Sequence, residues 1–184
     1  MMRTRISSTL AIAGLLLVGG AALPTAASAA QASPEPSPAL SLDITYCTAV
    51  PGDASMPTDE TVCFDDQAEV DAYLTDNGIR TEAPGAGSRA AAASVVLGRA
   101  YKDANLRGSS FTYYGANACS GSTFGFSPLA SGWTNSISSA QGLNGCSVSL
   151  YANTGYSGDV QLCTATCLSL PRLNDAVKSI VFRP

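Results

Sequence analysis

Tyr101-Lys-Asp-Ala-Asn-Leu106-Arg-Gly108 and Tyr151-Ala-Asn-Thr-Gly-Tyr156-Ser-Gly158 are two copies of one pattern. Each has an aromatic at position one, a large apolar residue at six and Gly at eight. A second echo follows each copy. Trp133-Thr-Asn135-Ser136-Ile137-Ser138-Ser139 is answered by Leu173-Asn174-Asp175-Ala176-Val177-Lys178-Ser179. The offset is fifty residues for the first echo and forty for the second, so copy one carries about ten extra residues in its middle. Two copies of one unit predict two similar supersecondary structures packed on each other.

The composition around the copies agrees. From Ser94 onward Val, Ile, Tyr, Phe, Thr and Ser dominate, punctuated by Gly and Asn. Ser94–Leu97, Ser109–Tyr114, Ser147–Tyr151, Asp159–Cys163 and Lys178–Arg183 read as strands, several with period-two alternation. Short strands with frequent turns predict an all-β sandwich over residues 94–184. The preceding region differs. Residues 30–41 are a Pro/Ser/Ala-rich linker and residues 81–93 a second linker. Between them, residues 42–80 form a small acidic segment. Its helix is capped by Asp65 or Asp66, runs to about Asp76 with Val70, Tyr73 and Leu74 on one face, and stops at Asn77-Gly78.

Arg3 and Arg5, an apolar run from Leu10 to Leu23 and the tripeptide Ala27-Ser28-Ala29 describe a secretory signal peptide over residues 1–29. Export puts the six cysteines in an oxidising compartment, where an even count favours three disulfides. Six cysteines allow 15 connectivities. The pairing expected is Cys47 with Cys63, Cys119 with Cys146, and Cys163 with Cys167. Cys47 and Cys63 lie alone in their segment.

Charge is split. Residues 30–93 hold eleven carboxylates against Arg80 and Arg89, whereas residues 94–184 hold three against six bases. Such asymmetry is read either as a solvated acidic spacer or as a segment docking on a weakly basic domain. It also admits residues 30–93 as a pro-segment. The basic excess is too small and too scattered for nucleic acid. The expected protein is a secreted extracellular monomer with no membrane attachment after the leader is removed.

At these motifs the chain resembles the βγ-crystallin superfamily, from roughly Val95 to Phe182. The resemblance implies a double Greek-key sandwich in which each motif contains a folded-over hairpin. Gly108 and Gly158 would take positive φ there, and Tyr101 and Tyr151 would pack over the bend. Ser139 and Ser179 would hydrogen-bond the bent backbone. Copy one departs from the pattern with Leu106 at its second aromatic position.

Many microbial members of that superfamily bind calcium through loops reading Asn/Asp, Asn/Asp, two free positions, Ser/Thr, Ser. Here the loops read Thr134-Asn135-Ser136-Ile137-Ser138-Ser139 and Asn174-Asp175-Ala176-Val177-Lys178-Ser179. The resemblance implies the side chains of Asn135, Ser138 and Asp175 and the carbonyls of Ser136 and Ala176 as ligands. All are hard oxygen donors suited to Ca2+. Lys178 stands where a hydroxyl belongs. An ammonium about 4 Å from a divalent ion costs roughly 8 kcal/mol at an effective dielectric near 20 before it swings away. One weak site is therefore expected before two, in the extracellular range of about 10⁻⁴–10⁻³ M.

Catalysis has little support. The chain contains no histidine, so no Ser-His-Asp or Cys-His arrangement is available. Asp103, Asp159 and Asp175 are the only carboxylates of the β domain and read as surface charges. The alternative function is binding to an extracellular protein target, a protease or a cell surface. Secreted actinobacterial proteins of the same fold include a metalloproteinase inhibitor and killer-toxin-like antifungal proteins. The candidate contact is the insertion Asn117–Phe126, with Cys119 as a brace and Phe124 and Phe126 as exposed anchors.

Overall fold

The computed structural model describes residues 44–49, 61–83 and 94–184. The leader over residues 1–29 and the linker over 30–41 lie outside them, as does the second linker beyond Ala83. Among the described residues no helix is long and apolar enough to cross a membrane.

The first Greek key consists of β3 (Val95–Asp103), β4 (Arg107–Gly115), β5 (Phe124–Phe126) and β6 (Ser139–Gly142). The second consists of β7 (Ser147–Asn153), β8 (Ser157–Cys163), β9 (Thr166–Cys167) and β10 (Ser179–Arg183). The two keys exchange their third strands. One sheet contains the order β4-β3-β6-β9 and the other is β5-β10-β7-β8. Each sheet therefore needs a strand from the other repeat, and neither repeat is complete alone.

The hairpins follow the expected chemistry. Gly108 and Gly158 have φ of 70° and 79°. A Cβ on Gly158 would lie 2.6 Å from Asn153 Nδ2, and one on Gly108 would collide with the Asp103 carboxylate. Ser139 Oγ donates to Asp103 O at 2.6 Å and accepts from Leu106 N–H at 3.1 Å. Ser179 Oγ repeats this with Asn153 O at 2.7 Å and Tyr156 N–H at 3.2 Å. Both serines are fully buried. In copy two Tyr151 meets Tyr156 edge-on, with centroids 6.2 Å apart. In copy one the Tyr101 hydroxyl lies by Arg99. Burial raises its pKa, and the guanidinium partly offsets the rise.

Between the sheets lies an aromatic cluster. Tyr113 stands 4.8 Å from Phe126 and 5.3 Å from Phe182, and Phe111 stands 5.4 Å from Trp133. Ile137, Leu150, Leu170, Leu173, Val177 and Ile180 complete the core. Tyr113 is fully buried and its hydroxyl has no hydrogen-bond partner. Burial drives its pKa far up.

The acidic segment belongs to the same compact unit, which spans Ser41–Pro184. Its strand β1 (Tyr46–Ala49) pairs in parallel with β4, and β2 (Thr61–Phe64) pairs antiparallel with β1. The sheet thereby becomes six-stranded, in the order β2-β1-β4-β3-β6-β9. Helix α1 (Gln67–Asp76) has Asp66 as N-cap, accepting from Glu69 N–H at 2.9 Å. Val70 and Leu74 are its buried face. It lies on the outer face of this sheet. Gln67 accepts from Ser110 Oγ at 2.8 Å and donates to Thr112 Oγ1 at 3.3 Å. Arg99 donates to both Asp71 oxygens at 2.7 and 3.0 Å. The spacer reading therefore gives way to the docking one over residues 61–83. One guanidinium nitrogen shared between both carboxylate oxygens makes a charge-assisted, partly buried contact that fixes the helix where diffuse charge attraction would not.

The disulfides are Cys47–Cys63, Cys119–Cys146 and Cys163–Cys167. The first links directly opposed residues of β1 and β2.

Ser139→Ala and Ser179→Ala each remove two hydrogen bonds and leave a carbonyl and an amide of the bend unpaired. Each is expected to cost about 1–3 kcal/mol by urea unfolding. Tyr113→Phe is expected to be neutral or stabilising, because it deletes an unsatisfied buried hydroxyl. Burial keeps Tyr113 protonated in the folded chain while the unfolded chain loses the proton above the free-tyrosine value near 10, so stability is unaffected below that pH and falls as pH rises above it. The variant should therefore flatten the alkaline limb of a stability–pH curve.

Candidate functional site

The two loops expected to hold metal are brought together by reciprocal backbone bonds. Asn135 N–H donates to Val177 O at 2.9 Å, and Asp175 N–H donates to Ile137 O at 3.1 Å. Ser138 N–H reaches Tyr101 O and Lys178 N–H reaches Tyr151 O, each at 2.9 Å. These pairs define a pseudo-twofold axis between the loops. Asn135 and Asp175 occupy equivalent positions and share a left-handed backbone, with φ of 59° and 52°. Asn and Asp tolerate that region better than other side chains with a Cβ. Ile137 and Val177 point into the core and are fully buried, which fixes the loops from beneath.

The expected ligand set divides across this axis. Ser138 Oγ donates to Asp175 Oδ1 at 3.2 Å, so a hydroxyl from one loop meets the carboxylate of the other. The second Asp175 oxygen accepts from Asn174 Nδ2 at 2.7 Å. Asp175 is exposed and Ser138 is buried. By the same equivalence, the counterpart of this pair is Lys178 with Asn135. Ser136 Oγ turns back to Gly132 O at 3.0 Å, leaving only its carbonyl for a metal. Ala176 N–H caps a turn onto Leu173 O at 3.0 Å. Of the five residues, Ser138 and Asp175 meet directly, while Asn135 belongs to the lysine-bearing half.

The donors are hard oxygens suited to a hard cation, but few of them are charged. No cluster of three or more His, Cys, Asp or Glu side chains occurs among the described residues. The Ser138–Asp175 half offers one carboxylate and one hydroxyl. That set fits calcium of low affinity, since affinity follows the number of charged ligands. The Lys178 half carries a cation and does not fit.

The insertion in copy one lies mainly between β4 and β5, over residues 116–123. Its aromatics are not exposed anchors. Phe126 is 4% exposed inside the aromatic cluster, and Phe124 packs half-buried against the core. Both belong to β5, paired to β10 at Ile180 and Phe182. Alternation places Phe126 inward because β5 is the third strand that the second sheet borrows. What remains exposed on the loop is small: Ala116, Asn117, Ser120, Gly121 and Thr123.

No protein-family model matches the sequence, and no curated protein matches it. Solved structures similar to it include the N-terminal domain of Protein S, at 22% identity and a TM-score of 0.38 over 46% of this chain and 93% of that one. A βγ-crystallin domain from Clostridium beijerinckii is 16% identical, with a TM-score of 0.38, over 47% of this chain and 97% of that one. A βγ-crystallin domain from Flavobacterium johnsoniae is 21% identical, with a TM-score of 0.35, over 46% and 92%. It is the strand order, with its exchanged third strands and paired serine-locked hairpins, that defines the fold.

Phe126→Ala is expected to cost about 3–5 kcal/mol, as for a large aromatic removed from a core. Asn117→Ala or Thr123→Ala should stay within about 0.5 kcal/mol. Chemical unfolding of the three variants checks the reassignment of the loop.

Proposed function

We propose that this chain, a double Greek key of βγ-crystallin fold, is a non-catalytic exported protein that binds one calcium ion weakly for stability. The ion would sit between the Thr134–Ser139 and Asn174–Ser179 loops. The observation that carries the reading is the meeting of Ser138 Oγ and Asp175 Oδ1 at 3.2 Å across the pseudo-twofold. Two hard oxygens from separate loops converge at the surface, where an ion would tie the two Greek keys together. Ser138 and Asp175 supply the side-chain donors. The carbonyls of Ser136 and Ala176 are the further oxygens of the two loops, whereas the Asn135 side chain belongs to the Lys178 half and is not used. Bound calcium adds charge-neutralising coordination and no chemistry.

Export is supported by the leader pattern at the N-terminus and by three disulfides, which persist in oxidising compartments. A non-catalytic role is supported by the lack of histidine and by the sparse carboxylates of the β domain.

The test is thermal unfolding of the mature chain, disulfides intact, in EGTA and in about 5 mM calcium. For a dissociation constant of 10⁻⁴–10⁻³ M, native-state binding adds about 1–2 kcal/mol, a rise of several degrees. Ser138→Ala and Asp175→Asn should each abolish the rise, whereas Asn135→Ala should leave it. Lys178→Ser should enlarge it by restoring the second half-site. An unchanged melting temperature in calcium for the parent chain would sink the proposal.

A further inference from the structure

The pseudo-twofold that relates the two Greek keys also relates β4 to β8, and the rest of the chain treats them differently. The outer edge of β4 takes β1, and its outer face takes α1, so that Ser109–Gly115 are all buried. Among the described residues β8 pairs with β7 alone, and no strand is paired to its other edge. Its residues Ser157–Val160 and Leu162 are exposed. Five large apolar side chains are exposed among the described residues. Two of them, Val160 (41%) and Leu162 (61%), lie on β8, and Tyr156 (42%) immediately precedes it.

Natural sheets blunt free edges by shortness, charge or proline. The other edge strands here follow that rule: β2 has four residues, β5 three and β9 two. Strand β8 has seven, Ser-Gly-Asp-Val-Gln-Leu-Cys, with one charge, no lysine and no proline. A long, apolar, unguarded edge is a template for another strand.

The sequence of β8 is complementary to itself. Val160 and Leu162 stand opposite Tyr151 and Ser149 of β7, two positions apart, and so share one face of the sheet. In an antiparallel pair of two β8 strands centred on Gln161, Val160 of each copy falls opposite Leu162 of the other. Asp159 then falls opposite Cys163, so the two carboxylates never face each other. Centring the pair on Val160 sets Leu162 against Gly158 and leaves one apolar pair, Val160 with itself; centring it on Leu162 likewise leaves one. Directly opposed apolar side chains are the unit of sheet stabilisation, so the register centred on Gln161 is the one that the sequence selects.

We propose that β8 is a homodimer interface. Two copies pair β8 to β8, antiparallel and centred on Gln161, and join their four-stranded sheets into one continuous sheet. The occupant is a second copy of this chain, in place of the monomer that the sequence alone suggested. The proposal stands on the sheet edge and does not depend on calcium.

The test is sedimentation velocity of the mature chain, disulfides intact, from about 1 to 100 μM, where an interface of micromolar affinity titrates. It is run with hydrogen exchange at both ends of the range. The expected result is a mass rising towards that of a dimer, with amides of β8 slowing as it does. Leu162→Lys and Val160→Lys change side chains that are already exposed, so each should keep the parent's circular dichroism. Each should weaken the dimer about tenfold or more, as an edge lysine does. A parent chain that stays monomeric across the range overturns the proposal. So does a dimer that both lysine variants leave intact, or one that forms without protecting β8.

Discussion

A single buried serine hydroxyl per Greek key holds the bend on which the domain depends. Each hairpin folds back over its own sheet, which takes the amide at the bend out of the strand ladder. Ser139 and Ser179 pair the stranded groups, donating to Asp103 O and Asn153 O and accepting from Leu106 and Tyr156. An unpaired buried backbone group would cost about as much as a lost hydrogen bond. The positive φ of Gly108 and Gly158 completes the turn, since a Cβ at either would run into the side chain five residues upstream. With both bends fixed, each repeat presents its third strand to the other's sheet. The two repeats then close around one shared aromatic core.

The same closure sets the candidate metal site. The Trp133–Ser139 and Leu173–Ser179 segments lead into the fourth strands, so the serine that locks each hairpin is also the last residue of each loop. Ile137 and Val177 anchor the loops in the core, and the reciprocal bonds of Asn135 and Asp175 bring them side by side. The site is a by-product of the two-fold packing. Its asymmetry comes from single substitutions, with Lys178 replacing the hydroxyl that Ser138 supplies on the other side.

Much of this was legible in the sequence because the repeat carries it. The Tyr–Gly spacing located both hairpins, and the fixed distance to Ser139 and Ser179 located their locks. Asp66, Asn77 and Gly78 marked α1 because caps are written in side-chain chemistry. The longer strands β3, β4, β7, β8 and β10 were read from composition, several of them with alternation. Strands β1, β2, β5, β6 and β9 were not, since two to four residues are too few for a period to show. That brevity is also why Phe124 and Phe126 read as loop residues. Their inward orientation depends on β5 joining a sheet of the other repeat, which no local pattern encodes. The parallel pairing of β1 on β4 was invisible for the same reason. Within the site, the division of Asn135 from Ser138 and Asp175 required the pseudo-twofold, which places ligands by contact across loops and not by order along one loop.

The placement of β1 against β4 orders the assembly of the molecule. Thr48 Oγ1 reaches Thr112 O across 64 residues of chain. The N-terminal hairpin is local, and Cys47–Cys63 can close it with a separation of 16 residues as soon as both cysteines are available. Its docking must wait until β4 has been made and folded, because both the edge and the face it covers belong to the later part of the chain. Until then the acidic segment that becomes β1, β2 and α1 lacks the edge and the face that hold it, and a helix of 10 residues is marginal alone. Its carboxylates keep that waiting piece solvated until Arg99 arrives to receive Asp71.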